Sequence, residues 1–252
     1  MGPMSGAAHL EIDASPRQFA SWRGIAVVGA ELGADGWVLA GGQMVALHLQ
    51  FAGLPFPRVT VDADAVVDVR SHPDATRRAA TALLAAGWDA SGVDDLVHRF
   101  TSDEGGTVDL LGPDGLRTRP VTVPPRRTLL APGGTQLLQR SSPVNAQIRS
   151  TDGESLALTL SMPSRLGALV AKCAATTLPE GRDRHLLDAV HLAAALRPGD
   201  LGELLGRADR RWLRLLLDAA PEVLRTGLVD ARVAALAEAA VDRIRPLVTS
   251  QR

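Results

Sequence analysis

Hydrophobic and polar positions change period partway along the chain. Before about residue 160, short apolar runs and alternating stretches are interleaved with helical spacing; from Pro163 onward the spacing is helical throughout. "SPRQFASWRGIAVVGAELGADG" predicts a first helix, with Ser15 as N-cap and Pro16 at its first position. "WVLAGG" (37–42) is an apolar run stopped by two glycines, as in a buried strand, and "QMVALHLQFAG" (43–53) follows as a short helix. Residues 58–69 predict one or two strands with a bend near Ala63, and residues 72–87 a second long helix. "DLVHRFTS" and "GTVDLLGP" read as a hairpin about the "DEGG" turn, and "NAQIRS" and "SLALTLS" as another about "TDGE". Short extended pieces are expected at 119–123 and 127–131, and helices at 163–178, 182–196, 200–206, 208–218 and 230–245. The succession predicts an α+β fold. A mixed sheet with flanking helices occupies residues 1–160, and a C-terminal helical bundle, residues 161–252, covers the sheet or stands beside it.

Composition narrows the class. With 252 residues, a formal charge of −1 and 46% hydrophobic content, the chain has the make-up of a globular protein. No apolar run approaches the ~18 residues that span a bilayer, and the N-terminal residues lack a basic segment followed by an apolar core. With Cys173 as the only cysteine, a cytoplasmic location without membrane partners is expected. A charge near zero argues against bulk nucleic-acid binding but leaves room for a local basic channel. Lys172 is the chain's only lysine, among 26 arginines.

"RVTVDADAVVDVR" (58–70) carries the first chemistry. In a strand Asp62 and Asp64 share a face, and like charges that close repel unless a cation lies between them. Mg²⁺ or Mn²⁺ held by one or two carboxylates plus phosphates is one remedy; a solvated edge strand is the plainer one. The order of elements favours the metal. A strand ends in Gly41-Gly42, a helix opens at once, and the next strand carries the D-x-D pair; Asp109, in "TVDLL", comes from a separate strand. A glycine turn at a helix N-terminus suits phosphates, and three carboxylates suit a divalent-metal site. Asp109 is then also the candidate base. Asp68 is read as solvated at the strand end, and His48 as packing.

"VLAGGQMVALHL…RVTVDADAVV" resembles the AbiEii family of nucleotidyltransferase toxins, which includes the MenT toxins of mycobacteria. The later "SRLGALVAKCAATTLPEGRDRHLLDAVHLAA" (164–194) resembles that family's lysine helix and distal aspartate helix, with Lys172 and Asp188 at the matching positions. The chain departs from the family pattern at Ala63, at Gly42 and at His185, which stands where an acid is expected. The resemblance implies a nucleotidyltransferase fold and a metal-dependent enzyme that moves a nucleoside monophosphate from an NTP to RNA, the tRNA 3′ end, releasing pyrophosphate. It further implies a toxin restrained by a cognate antitoxin.

Under that resemblance Asp62, Asp64 and Asp109 hold metal, Gly41, Gly42, Arg58 and Thr60 surround the nucleotide, and Lys172 meets the triphosphate while Asp188 orients it. Read as one residue on a helix face, Lys172 can be removed without harm to the fold. Arg58 stands to pair with the neighbouring carboxylates or with a phosphate. Arg117, Arg119, Arg126, Arg127, Arg140 and Arg149 form a candidate RNA path. Two rivals keep the same fold: transfer to a small molecule such as an aminoglycoside, for which an acidic pocket is expected, and a silent member that only binds nucleotide or a partner protein. His185, Asp188 and His191 drift around one helix and make a poor zinc set.

Overall fold

The structure, a computed structural model, describes residues 9–56, 58–202 and 205–249. It is an α+β protein with mixed sheets and a helical C-terminal part. The chain divides into two compact units, residues 1–43, 60–131 and 141–162 in one and residues 44–59, 132–140 and 163–252 in the other. The sequence boundary near 160 did not anticipate the two early segments, 44–59 and 132–140, that join the later helices.

In the first unit β1 (His9–Ala14) leads into α1 (Pro16–Leu32). Ser15 and Gln18 form a capping box at the start of α1, so that the two groups satisfy each other's backbone N–H. β2 (Trp37–Ala40) is buried at every position. α2 (Gly41–Ala52) starts without a linker; its first three residues count with the first unit and the rest with the second. β3 (Ala63–Val67), α3 (Ala75–Ala85), β4 (Asp89–Ser91), β5 (Arg99–Thr101) and β6 (Thr107–Pro113) follow, then β7 (Val121–Val123), β8 (Arg126–Arg127) and β9 (Leu129–Ala131). Beyond α4 (Gly134–Gln139), which belongs to the second unit, the long hairpin β10 (Ser141–Ser150) and β11 (Ser155–Pro163) closes the first.

Among the described residues the main sheet has six strands in the order β2-β3-β6-β5-β4, with β9 also on β6. β3 runs antiparallel to β2 and parallel to β6, while β5 runs antiparallel to β6. A second sheet has the order β1-β10-β11, with β1 parallel to β10. Helix α1 packs on β3, β6 and β10. It comes close because residue 24 is glycine: a Cβ there would lie within 2.7 Å of Val108 and the Trp88 ring. Trp22, Ile25, Trp37, Leu39, Phe100 and Leu110 are fully buried in this core. Burying such side chains contributes about 1.5–3 kcal/mol each for the aliphatic and phenyl groups.

Two expectations change here. β3 is shorter than the strand expected over 58–69, because the chain ahead of it is tied down differently. The Thr60 carbonyl accepts the side-chain amides of both Gln18 and Gln43, so it is not spent on a sheet ladder. β1, for which no element was expected, alternates exposed and buried residues over its whole length and pairs with β10 over six positions.

The second unit consists of helices: α5 (Arg165–Ala175), α6 (Arg182–Ala195), α7 (Arg207–Arg225) and α8 (Ala231–Thr249). Ser164 caps α5 by accepting the Gly167 N–H. α6 packs on α5, α7 and α8, and α4 on α5. Leu213, Leu216, Leu217 and Ala220 recur at helical spacing on α7 and are buried. The helix expected over 200–206 is instead a 3₁₀ turn at Pro198–Gly202, and residues 203–204 lie outside the described residues. Among the described residues, no helix is long and apolar enough to cross a membrane.

Candidate functional site

The strand register of the first unit gathers the expected acids. Asp64 of β3 stands opposite Ala40 of β2 on one side and Asp109 of β6 on the other. Gly41 follows Ala40, with φ of +63°, and an added Cβ there would lie 1.6 Å from Asp64 Oδ2. The Asp64 carboxylate therefore rests against the bare backbone where α2 begins, which is where a helix favours negative charge. Gly42 is buried beside it. Asp62 precedes β3 by one residue, its side chain about half exposed, whereas Asp109 is buried.

A residue that sequence reasoning missed ties these acids together. Arg99 of β5 faces Asp109 across the antiparallel pair. Its Nε donates to Asp109 Oδ1 at 2.9 Å and its Nη2 to Asp109 Oδ2 at 2.8 Å, a bidentate bond; the same Nη2 reaches Asp62 Oδ2 at 3.2 Å. The hydrogen bonding to Asp109 outweighs the cost of burial, and the charges of Asp109, Asp62 and Asp64 add to it, so the guanidinium is held more firmly protonated than usual. A signal existed in the sequence: counting back from the "DEGG" turn pairs Thr101 with Thr107 and therefore Arg99 with Asp109.

All three acids offer oxygen donors, the set that hard divalent cations such as Mg²⁺ and Mn²⁺ prefer. Among the described residues, however, no three acidic, histidine or cysteine side chains converge closely enough to hold an ion as they stand. The spacing of Asp62 and Asp109 is the spacing set by one guanidinium between them. The donor chemistry fits the metal, and the resting geometry is that of an ion-paired cluster.

The second unit holds the other expected residues together. Lys172 Nζ lies 2.9 Å from Asp188 Oδ2, and Arg58 Nη2 lies 2.9 Å from the same oxygen. Arg58 thus pairs with Asp188, and its guanidinium also stacks over the Phe56 ring. Lys172 is 5% exposed, so it is not a lysine stretched along the surface. Burial pushes the Asp188 carboxyl up, but Lys172 and Arg58 outweigh it and hold it below the usual carboxylate range. Asp188 Oδ1, Arg58 Nε and His185 Nδ1 are buried without a hydrogen-bond partner. Burial, together with the positive charges of Lys172 and Arg184, lowers the His185 pKa to about 4. The His185 imidazole is therefore neutral at pH 7.

Several of the remaining candidates have partners within the chain. Thr60 contributes its backbone carbonyl to Gln18 and Gln43. Asp68, one residue past the end of β3 and partly exposed, accepts the backbone N–H groups of Arg70 and Ser71 in a turn. His191 is buried and its Nδ1 bonds the Leu187 carbonyl, which leaves it a packing role. Of the six arginines proposed as an RNA path, Arg149 is paired with Glu11 and Arg140, in the second unit, with Asp209. Arg127 donates to the Arg119 carbonyl. Comparison of the chain with protein-family models, with curated proteins and with solved structures returns no match.

Proposed function

We propose that the chain is a divalent-cation-dependent nucleotidyltransferase that moves a nucleoside monophosphate from an NTP to an acceptor hydroxyl. The observation that carries this reading is the pairing of Asp64 with Asp109 in register on neighbouring strands, with Asp64 against the bare-backbone start of α2 and Asp62 linked to Asp109 through Arg99. A strand, a glycine turn, a helix and a carboxylate pair on the adjacent strand form a frame for a triphosphate and its cation.

In this reading the acceptor oxygen attacks the α-phosphorus, the bond to the α,β-bridging oxygen breaks, and pyrophosphate leaves. Asp62, Asp64 and Asp109 would hold Mg²⁺, which would supply charge neutralisation and polarisation of the phosphoryl oxygens. The Gly41-Gly42 backbone approaches the phosphates closely because no side chain intervenes. Asp109 takes the proton from the attacking hydroxyl. The resemblance to AbiEii-type toxins makes the acceptor the tRNA 3′ end, the outcome growth arrest, and the regulator an antitoxin protein.

The test is direct. The chain is incubated with each α-labelled NTP and Mg²⁺, with either total tRNA or an aminoglycoside as acceptor, and label on each acceptor is scored. Label on tRNA that requires Mg²⁺ is expected with at least one NTP. Label on an aminoglycoside in place of RNA would move the acceptor to the small-molecule class, and no transfer to either would overturn the enzymatic reading.

A further inference from the structure

Arg99 occupies the space between two of the three carboxylates assigned to the cation. Its bidentate bond takes both oxygens of buried Asp109, and its Nη2 also takes one oxygen of Asp62. A divalent cation held by the same acids would need those oxygens. It must therefore compete with a guanidinium that the fold itself supplies. β5 is fixed in register against β6, so Arg99 cannot leave with its backbone; only its side chain can move. That side chain is 42% exposed, which gives it solvent to move into.

We propose that Arg99 is the resident counter-ion of this cluster, a positioning residue that keeps Asp62 and Asp109 together without metal and sets the affinity for the divalent cation by being displaced from them. The inference rests on the metal-dependent reading above. It adds that the cation exchanges with one internal positive charge and does not enter an open acidic site. Physically, Asp64 and Asp109 on adjacent strands and Asp62 just ahead of β3 destabilise one another unless neutralised, and Arg99 supplies that neutralisation from within the sheet. Removing its charge makes the apo cluster more costly and the metal-bound cluster no worse, so metal binding strengthens.

The experiment measures Mn²⁺ affinity by the loss of the free-ion electron paramagnetic resonance signal. It compares the parent chain, Arg99→Gln and Arg99→Lys, with Asp64→Asn to place the ion at this cluster. Arg99→Gln is expected to bind Mn²⁺ about tenfold more tightly than the parent. Arg99→Lys, which keeps the charge but cannot make the bidentate bond, is expected to fall between them. Added Mn²⁺ should also raise the melting temperature of Arg99→Gln more than that of the parent. Should Arg99→Gln not fold, the Arg99→Lys comparison carries the test alone. Equal affinities in parent and variants, or weaker binding in the variants, would overturn the counter-ion role and leave the metal site standing. No Mn²⁺ binding to any of them, or binding that survives in Asp64→Asn, would overturn the metal reading and this inference with it.

Discussion

Lys172 Nζ and Asp188 Oδ2 lie 2.9 Å apart with both side chains almost wholly buried, so the chain's only lysine is enclosed with its counter-charge. Arg58 shares the same carboxylate oxygen. Removing one partner of a buried pair leaves an uncompensated charge, at a cost of about 3–5 kcal/mol. Lys172→Ala is therefore expected to lower stability toward the low end of that range, because Arg58 still neutralises part of the Asp188 charge. This reverses the expectation from sequence that the substitution spares the fold. Urea denaturation at pH 7 checks it; an unchanged midpoint would mean that Lys172 is exposed in solution.

Two histidines, buried His48 and half-buried His185, make stability depend on acid. His48 and His185 both have pKa values lowered to about 4, chiefly by burial, with Arg165 adding to the effect at His48 and Lys172 at His185. In the unfolded chain a histidine takes up its proton near pH 6.5. Between pH 6.5 and 4 the unfolded state thus binds more protons than the folded one, and stability falls as the pH falls. The contribution is complete above about 6.5 and gone below about 4. Melting temperature should decline across that window, and His48→Gln should flatten the slope. A melting temperature constant from pH 7 to 4.5 would count against both assignments.

Gly41 admits no side chain. Its φ is +63°, and a Cβ would be driven into Asp64 Oδ2. Gly41→Ala is expected to cost about 1 kcal/mol from the backbone alone, and more from the displaced carboxylate. It should also weaken Mn²⁺ binding, while Gly53→Ala, with the same φ and open space around it, bears only the backbone cost. Equal effects at the two positions would detach Gly41 from the carboxylate cluster.

Local signals made much of the frame legible. Ser15 followed by Pro16 gave the start of α1, the buried run at Trp37 gave β2, and the glycine pair with the D-x-D spacing placed Asp64 beside the start of α2. What stayed hidden depends on partners distant in sequence. Arg58 meets Asp188 across 130 residues, and nothing local to "PRVT" indicates that carboxylate. Arg99 becomes visible only once the hairpin register is counted, since a single arginine in a short strand has no signature. The alternation of Leu10, Ile12 and Ala14 was readable as a strand, but its parallel partner lies on β10.

The most direct measurement compares Asp64→Asn with the parent in pyrophosphate release and tRNA labelling with Mg²⁺. The substitution keeps the size of the side chain and removes its charge. It leaves in place the Arg99 bonds to Asp62 and Asp109, so the fold should hold, as circular dichroism can confirm. Transfer through the cluster of Asp62, Asp64 and Asp109 predicts that a folded Asp64→Asn protein releases no pyrophosphate and labels no RNA under conditions where the parent does both. A folded Asp64→Asn protein that turns over NTP at the parent's rate would contradict it.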